Sequence, residues 1–253
     1  SHECFSYVVV LLVQGLGAFM KVISLYDFTG EAVRPWAEAG YECYCYDIQH
    51  DYDGPYPIEK VGKGEIHYLY ADLYDPSELN DIYNEHGHER VDFLFGWIPC
   101  TDLAVSGSAH FANKRIANKN FQTEATQHAI NCAELAERFD CPYMIENPVS
   151  RLATLWRKPD HYFHPFEYGG YLSDAEADHP TWPDYIAPKD AYSKKTCLWT
   201  KGFTMPQKKP VDCQSFGAST QHRLLGGKSM KTKNIRSATP RGFAKAVFEA
   251  NYK

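Results

Sequence analysis

The sequence lacks the features by which several protein classes are recognised. Its longest unbroken apolar run covers residues 8–13, far short of the ~20 residues that a membrane-spanning helix needs, so we predict no membrane partner. No internal repeat and no low-complexity tract is present, which argues against solenoid and fibrous proteins. Eight cysteines in 253 residues include no Cys-x-x-Cys pair. They are too sparse for a disulfide scaffold and favour a reducing cytoplasm.

The composition is that of a globular protein, but the charge is unevenly divided. Hydrophobic residues make up 44% of the chain, and the net charge is −6. Residues 1–188 hold 12 Lys and Arg against 29 Asp and Glu, whereas residues 189–245 hold 13 against two. The second segment therefore carries +11, as expected of a surface that meets a phosphate backbone. A solvated lysine-rich surface is the alternative.

Short β-branched and aromatic runs alternate with helix-like segments, which indicates an α/β protein with a doubly wound, mostly parallel sheet. The chain becomes rich in Pro, Gly, His and Lys from about residue 159, which predicts a small loop-rich basic lobe. The predicted strands are 22–26, 41–48, 66–73, 91–98, 143–145 and 196–200, and the predicted helices are 31–39, 76–86, 121–139 and 240–251.

Ligands of open α/β sheets collect at the carboxyl ends of the strands, where this chain places polar residues. Asp27, Phe28, Thr29 and Gly30 follow the first strand as a glycine turn that lets backbone approach a nucleotide-like ligand. Asp47, at the end of the second strand, is placed to accept hydrogen bonds from ribose hydroxyls. The second and third glycines of a dinucleotide fingerprint are missing, which argues against a bound pyrophosphate. S-adenosylmethionine, an adenosine without phosphate, fits this loop better.

The most informative segment is 96–102, because it ends a predicted buried strand with a thiol at a turn, Cys100. A cysteine in that position is a nucleophile if positive charge favours its thiolate, although most cysteines only pack. Glu146 and Asn147 end the next strand, so adjacent strands would bring a carboxylic acid beside the thiol. Such a pair can attack C6 of a pyrimidine while a proton or hydrogen bond at N3 takes up the developing charge.

Taken in order, these motifs resemble those of DNA cytosine-5 methyltransferases, particularly the short forms of bacteriophages. The resemblance covers roughly residues 20–150 and 234–251 and implies a Rossmann-like class I methyltransferase fold that uses S-adenosylmethionine. The implied roles are residues 27–30 as the cofactor loop, Asp47 and Ile48 on its ribose side, Asp72 and Leu73 on its adenine side, Pro99 and Cys100 as the nucleophile motif, Glu146 and Asn147 as the second catalytic motif, and residues 236–240, with Ser237, as the closing segment beside the cofactor.

The resemblance also implies a mechanism. Cys100 would add to C6 of a cytosine, and Glu146 would stabilise the adduct at N3 while C5 takes the methyl group. The base would be flipped out of duplex DNA or presented in a single strand. The residues expected to contact the nucleic acid are Lys194, Lys195, Lys228, Lys231, Lys233 and Arg236.

The resemblance implies a protein of a bacterial or phage-infected cytoplasm, and self-protection from restriction is one role it could have. The chain is expected to have four parts. They are a leader or upstream extension at 1–19, a catalytic cofactor-binding domain at 20–158, a small basic substrate-binding lobe at 159–233, and a C-terminal helix at 234–253 that packs back on the catalytic domain.

Departures from the family pattern leave alternatives open. The Gln-x-Arg-x-Arg motif is absent, and residues 192–196 are the nearest substitute, so sequence recognition could come from a protein partner. The same fold could act on RNA cytosine, a modified base or a nucleotide, or it could bind DNA without catalysis. We expect no metal; the candidate zinc ligands are His161, His164, His179, Cys197 and Cys213.

Overall fold

The computed structural model describes residues 20–213, residue 225 and residues 229–252. The predicted leader at 1–19 and the predicted DNA contact Lys228 lie outside the described residues. No helix in the described ranges is both long enough and apolar enough to cross a membrane.

Eight strands of the described residues form one mixed sheet. Its order is β3-β4-β2-β1-β5-β6-β8-β7; only β3, β7 and β8 pair antiparallel with their neighbours. The strands are β1 (Lys21–Leu25), β2 (Glu42–Asp47), β3 (Ile58–Val61), β4 (Gly64–Tyr70), β5 (Phe93–Gly96), β6 (Tyr143–Pro148), β7 (His161–Phe163) and β8 (Thr196–Lys201).

The helices begin and end where their sequence signals lie. Asp75 caps the second helix by accepting a hydrogen bond from the Ser77 N–H at 2.9 Å, and Gly40, with φ +112°, ends the first. The helices are α1 (Arg34–Ala39), α2 (Pro76–His86), α3 (Phe111–Ala117), α4 (Phe121–Arg138), α5 (Leu152–Leu155), α6 (Met230–Ser237) and α7 (Arg241–Asn251), with 3₁₀ turns at Val105–His110, Pro165–Tyr171, Asp174–Glu176 and Pro188–Asp190.

The predicted α/β class with a mostly parallel sheet is confirmed, and helices cover both faces of the sheet. Alternate residues of β1 point to opposite faces. Ile23 packs in the core shared with α2 and α4, whereas Val22 packs in the core shared with α1 and α7. Burial of these two apolar faces supplies the main driving force for folding.

The strand order decides where a ligand site can form. Counted in chain order, the parallel strands β4, β2, β1, β5 and β6 have the order 3-2-1-4-5, which is compatible with a Rossmann-like sheet. The order reverses between β1 and β5, so the chain leaves these neighbouring strands toward opposite faces. That switch point opens a crevice at the carboxyl ends of β1 and β5, where Asp27 and Cys100 lie.

Two sequence predictions are corrected at the second half of the sheet. Strand β6 extends beyond the predicted 143–145, because Glu146 and Asn147 pair with Leu198 and Cys197 of β8. The segment predicted as a basic lobe also contributes β7 and β8 to the main sheet. Its role as a substrate-binding lobe stays a prediction.

Candidate active site

Asp27 organises the loop after β1. Its Oδ1 accepts hydrogen bonds from the backbone N–H groups of Thr29 (3.1 Å) and Gly30 (2.8 Å), and its Oδ2 accepts one from Ser24 Oγ at 2.7 Å. Gly30 has φ +69°, and a Cβ at this position would lie 2.8 Å from the Tyr68 hydroxyl. Glycine is required there. Asp27 therefore shapes the loop, since internal donors engage both of its oxygens.

Apolar side chains and a second acidic residue border this loop. Phe28 and Ile48 are 38% and 48% exposed, and Phe28 stacks on His50 at a centroid distance of 5.4 Å. Asp47 ends β2, and burial raises the pKa of its carboxyl. Flat apolar surfaces beside a carboxyl group suit a purine nucleoside, and the loop has no Lys or Arg for a pyrophosphate. These residues fit S-adenosylmethionine.

Of the two predicted adenine-side residues, only Asp72 is accessible. Asp72 is half-buried, and its Oδ1 accepts a hydrogen bond from the Tyr74 N–H at 3.2 Å. Leu73 is 2% exposed and packs in the core. Its carbonyl accepts a hydrogen bond from the Tyr26 hydroxyl at 3.2 Å. The Leu73 side chain therefore packs in the core and is not accessible to a ligand.

Cys100 lies in a tight turn after β5 that is fastened to β6. Its carbonyl accepts a hydrogen bond from the Ala104 N–H at 2.8 Å. Asn147 is fully buried in β6 and donates from Nδ2 to the Ile98 carbonyl at 3.2 Å. Strands β5 and β6 pair directly, as predicted. The turn that carries Cys100 is therefore held beside the strand that carries Glu146.

The electrostatics of this pair depend on burial and on two lysines. Cys100 is exposed, and Pro99 before it is half-buried. Desolvation by surrounding protein atoms and the Glu146 charge raise the pKa of the Cys100 thiol, while Lys194 and Lys233 oppose the shift. Burial raises the pKa of the Glu146 carboxyl, and Lys194 opposes that shift too.

Glu146 has an unmet hydrogen-bonding group. Its Oε1 is buried and has no partner in the described part of the chain. A buried polar atom without a partner costs stability. The unpartnered Oε1 leaves the Glu146 carboxyl group, whose pKa is raised by burial, able to hydrogen-bond a ligand.

A small pocket joins Glu146 to the end of the chain. Trp97, Glu146, Lys194 and Ser237 line it, and Lys194 Nζ donates to the carbonyl of Arg236 at 2.9 Å. The segment that follows α6 thus lines the same pocket as Glu146.

Trp97 connects this pocket to the cofactor loop. Its Nε1 donates to Ser24 Oγ at 3.1 Å, and the same hydroxyl donates to Asp27. The loop of residues 27–30 and the turn that carries Cys100 are therefore linked by hydrogen bonds at the switch point.

The other predicted nucleic-acid contacts lie farther along the basic segment. Lys195 and Lys231 each place Nζ over a tyrosine ring, 4.9 Å and 5.3 Å from its centroid. Arg236 donates from Nη2 to the Leu225 carbonyl at 2.5 Å. Lys194 and Lys233, which the sequence predicts only as DNA contacts, are close enough to Cys100 to lower the pKa of its thiol.

Candidate metal ligands do not gather. Within residues 20–213 and 229–252, no group of three or more His, Cys, Asp or Glu residues could hold a metal ion. His164 instead shares a hydrogen bond with Ser193 Oγ at 2.9 Å, and His179 Nδ1 accepts bonds from two backbone N–H groups.

Neither the protein-family models nor the curated protein sequences contain a match to this chain. Its function must therefore be inferred from the site itself.

Sequence reasoning missed three residues that the structure adds to the site. His50 stacks on Phe28 and its Nε2 lies 3.2 Å from the Asp27 carbonyl oxygen. Asn234 Nδ2 donates to Gln49 Oε1 at 3.1 Å, which ties α6 to the loop after Asp47. The sequence offered a signal for His50, because it closely follows Asp47, which is predicted at the carboxyl edge of the sheet. The pairing of Gln49 with Asn234 spans 185 residues and leaves no local signal.

Proposed function

We propose that the protein transfers a methyl group from S-adenosylmethionine to C5 of cytosine in DNA, on a sheet of the class I methyltransferase type. The observation that carries the proposal is that an exposed thiol, Cys100, in the turn after β5 lies beside a buried carboxyl group, Glu146, on the adjacent strand β6. Cys100 lies at the switch point of the sheet, near a loop that fits an adenosine-type cofactor. This arrangement supports nucleophilic attack on a pyrimidine ring.

The chain supplies both groups that addition to cytosine needs. The Cys100 proton leaves to solvent, and the sulfur forms a bond to C6. The C5–C6 π electrons shift to C5 and, by conjugation, toward N3. Glu146, whose pKa is raised by burial, donates its proton or a hydrogen bond at N3 and so stabilises the added negative charge. Lys194 adds a positive charge near both groups.

The remaining steps return the thiol. S-adenosylmethionine, when bound, supplies an electrophilic methyl group for C5. Loss of the C5 proton to water then restores the C5–C6 double bond, and the same electron pair displaces sulfur from C6 as the thiolate. N3 returns any proton it received to Glu146, and the thiolate takes a proton from solvent. Asp47, Phe28 and Ile48 would hold the nucleoside part of the cofactor, and Gly30 would let its backbone approach.

The basic surface favours a polyanionic substrate. Lys194 and Lys233 lower the pKa of the Cys100 thiol. Lys231 and Arg236 lie exposed on α6, the helix that also carries Lys233. These residues are placed to bind phosphates around a base that enters the site. A free nucleotide would not need so many cations, which favours DNA or RNA over a nucleotide.

The deciding experiment measures transfer of a labelled methyl group from S-adenosylmethionine to mixed-sequence duplex DNA, single-stranded DNA and RNA. We expect label at cytosine C5 in DNA with the wild-type chain. Cys100→Ala should reduce the transfer to background, because no covalent adduct can form. Cys213→Ala removes a half-buried thiol outside the site and should retain the transfer.

Each alternative has its own outcome in this experiment. Transfer to RNA alone would replace DNA as the substrate and leave the mechanism standing. Tight DNA binding by a wild-type chain that transfers nothing, unchanged by Cys100→Ala, would instead identify a binding protein.

A further inference from the structure

Asp190 is a buried aspartate outside the turn that carries Cys100. It is 1% exposed, and its Oδ2 accepts a hydrogen bond from the Gly242 N–H at 2.8 Å. Gly242 lies in the first turn of α7, which follows Pro240 and has no side-chain cap of its own. The free N–H groups at the start of a helix, and the partial positive charge there, favour a carboxylate. Asp190 therefore caps α7 from a distant segment of the chain.

The backbone at this position is strained. Lys189 and Asp190 both have φ +52°, in the left-handed region that residues other than glycine rarely adopt. Burial raises the pKa of the Asp190 carboxyl to about 6, and the backbone N–H groups of Arg241 and Gly242 oppose the shift. A strained turn and a buried carboxyl group persist only where the surrounding structure holds them, so this position is expected to have a role beyond connecting two segments.

Residues 190–194 lie against residues 235–242, which include the end of α6 and the start of α7. The two segments share one buried apolar cluster, to which they contribute Ala191, Tyr192, Ile235 and Ala238. Asp190 ties one end of the first segment to α7, and at the other end Lys194 Nζ donates to the Arg236 carbonyl at 2.9 Å. Lys194 follows Asp190 by four residues. The turn at Asp190 therefore decides where the Lys194 side chain can reach.

We propose that Asp190 is a positioning residue, whose carboxylate holds its segment so that Lys194 lies beside Cys100. The inference rests on the proposed function, in which Cys100 is the nucleophile. Lys194 lowers the pKa of the Cys100 thiol and of the Glu146 carboxyl. A carboxylate that acted directly on the thiol would raise the pKa of the thiol instead. The two ways in which Asp190 could act therefore differ in sign and can be told apart.

The test measures alkylation of Cys100 by iodoacetamide at a fixed pH below the thiol pKa. Asp190→Asn keeps the size of the side chain and a residue type that accepts the left-handed backbone, but it removes the charge and one acceptor. Lys194 should then leave its place, the pKa of the thiol should rise, and alkylation should become about threefold slower or more. Direct loss of a carboxylate near the thiol would make alkylation faster.

A double variant shows whether Asp190 acts through Lys194. Adding Asp190→Asn to Lys194→Met should slow alkylation no further than Lys194→Met alone, because the charge that Asp190 positions is already gone. Asp92→Asn is the matched control and should keep the wild-type rate. Asp92 is also buried and accepts a hydrogen bond from a backbone N–H, that of Lys21 at 3.1 Å, but it precedes β5, at the end of the strand away from Cys100.

Two results would overturn the inference and limit Asp190 to stabilising α7. One is a folded Asp190→Asn chain that is alkylated at the wild-type rate or faster, and the other is equal slowing with and without Lys194. If Asp190→Asn does not fold, Asp190→Gly, which accepts the left-handed backbone without strain, takes its place with the same outcomes. Alkylation needs neither cofactor nor DNA, so a chain that positions Lys194 through Asp190 but transfers no methyl group would keep this inference and lose the proposed function.

Discussion

Charged groups of opposite sign, one carboxylate and two lysines, act on the reactivity of the Cys100 thiol. Desolvation and the Glu146 charge raise its pKa, whereas Lys194 and Lys233 lower it. These charges therefore shift the fraction of Cys100 that is present as the reactive thiolate.

We predict opposite changes in thiol reactivity for Glu146→Gln and Lys194→Met. Removing the carboxylate should lower the pKa of Cys100, and removing the ammonium should raise it. Since only the thiolate reacts, alkylation by iodoacetamide at a fixed pH below the thiol pKa should become about threefold to tenfold faster in the first variant and slower in the second. Following the rate with pH measures the midpoint directly.

Cys213 in the same samples provides the control, because it lies outside the catalytic turn. Its alkylation rate should be the same in all three chains. A shift of both variants in the same direction would mean that the charges do not act on Cys100 as described.

The neighbouring placement of Cys100 and Glu146 could be predicted from sequence because each follows a strongly apolar run. Position at a strand end fixes the edge of the sheet on which a residue lies. The contribution of Lys194 could not be predicted in this way. It depends on β8 pairing antiparallel with β6, a long-range register that leaves no local pattern.

Elements with strong local signals were predictable, and short edge elements were not. Helix α2 covers the predicted 76–86, because Asp75 caps it and Pro76 begins it. Strands β3 and β7 have four and three residues and were missed. Their pairing with β4 and β8 holds them in place, and their own sequences carry little β pattern.

Helices α3 and α6 were also missed, for a related reason. Both are short and polar, and they lack the repeated apolar stripe that marks a packed helix. Both lie next to Cys100, where exposed basic side chains suit a nucleic-acid surface better than a core.

The loop of residues 27–30, which we propose binds the cofactor, should lose affinity for it if Gly30 gains a side chain. Gly30→Ala combines a left-handed backbone, which costs about 1–2 kcal/mol for alanine, with a Cβ that meets the Tyr68 ring. The affinity for S-adenosylhomocysteine, measured by calorimetry, should fall about tenfold or more. Adding Tyr68→Phe should recover part of the loss by removing the closest atom.

Gly202→Ala is the matched control for the Gly30 variant. Gly202 has φ +64°, but its nearest neighbour would lie at an ordinary 3.4 Å from the new Cβ. This variant should lose stability and keep its affinity for S-adenosylhomocysteine. Wild-type affinity in Gly30→Ala would remove the loop from the cofactor site.

Folding concentrates part of the basic segment on one side of an acidic protein. Lys194 precedes β8, and Lys233 lies on α6; both act on the Cys100 thiol. Other lysines lie at the opposite end of the sheet, such as Lys60 in β3 and Lys63 in the turn between β3 and β4. The net charge of −6 would repel DNA at most orientations. If DNA is the substrate, as proposed, it should therefore bind on the side that carries Cys100, Lys194 and Lys233.

This asymmetry predicts a salt dependence that belongs to particular residues. Each phosphate contact that is lost should reduce the slope of log affinity against log salt concentration by about 0.9 for duplex DNA. Replacing Lys231, Lys233 and Arg236 by alanine should therefore reduce the slope by about 1 to 3, as measured by fluorescence anisotropy of a labelled duplex. Replacing Lys60, Lys63 and Lys158 removes the same charge away from Cys100 and should leave the slope almost unchanged. Equal slopes for the two triple variants would show that DNA responds only to the total charge, and α6 would then have no place in the interface.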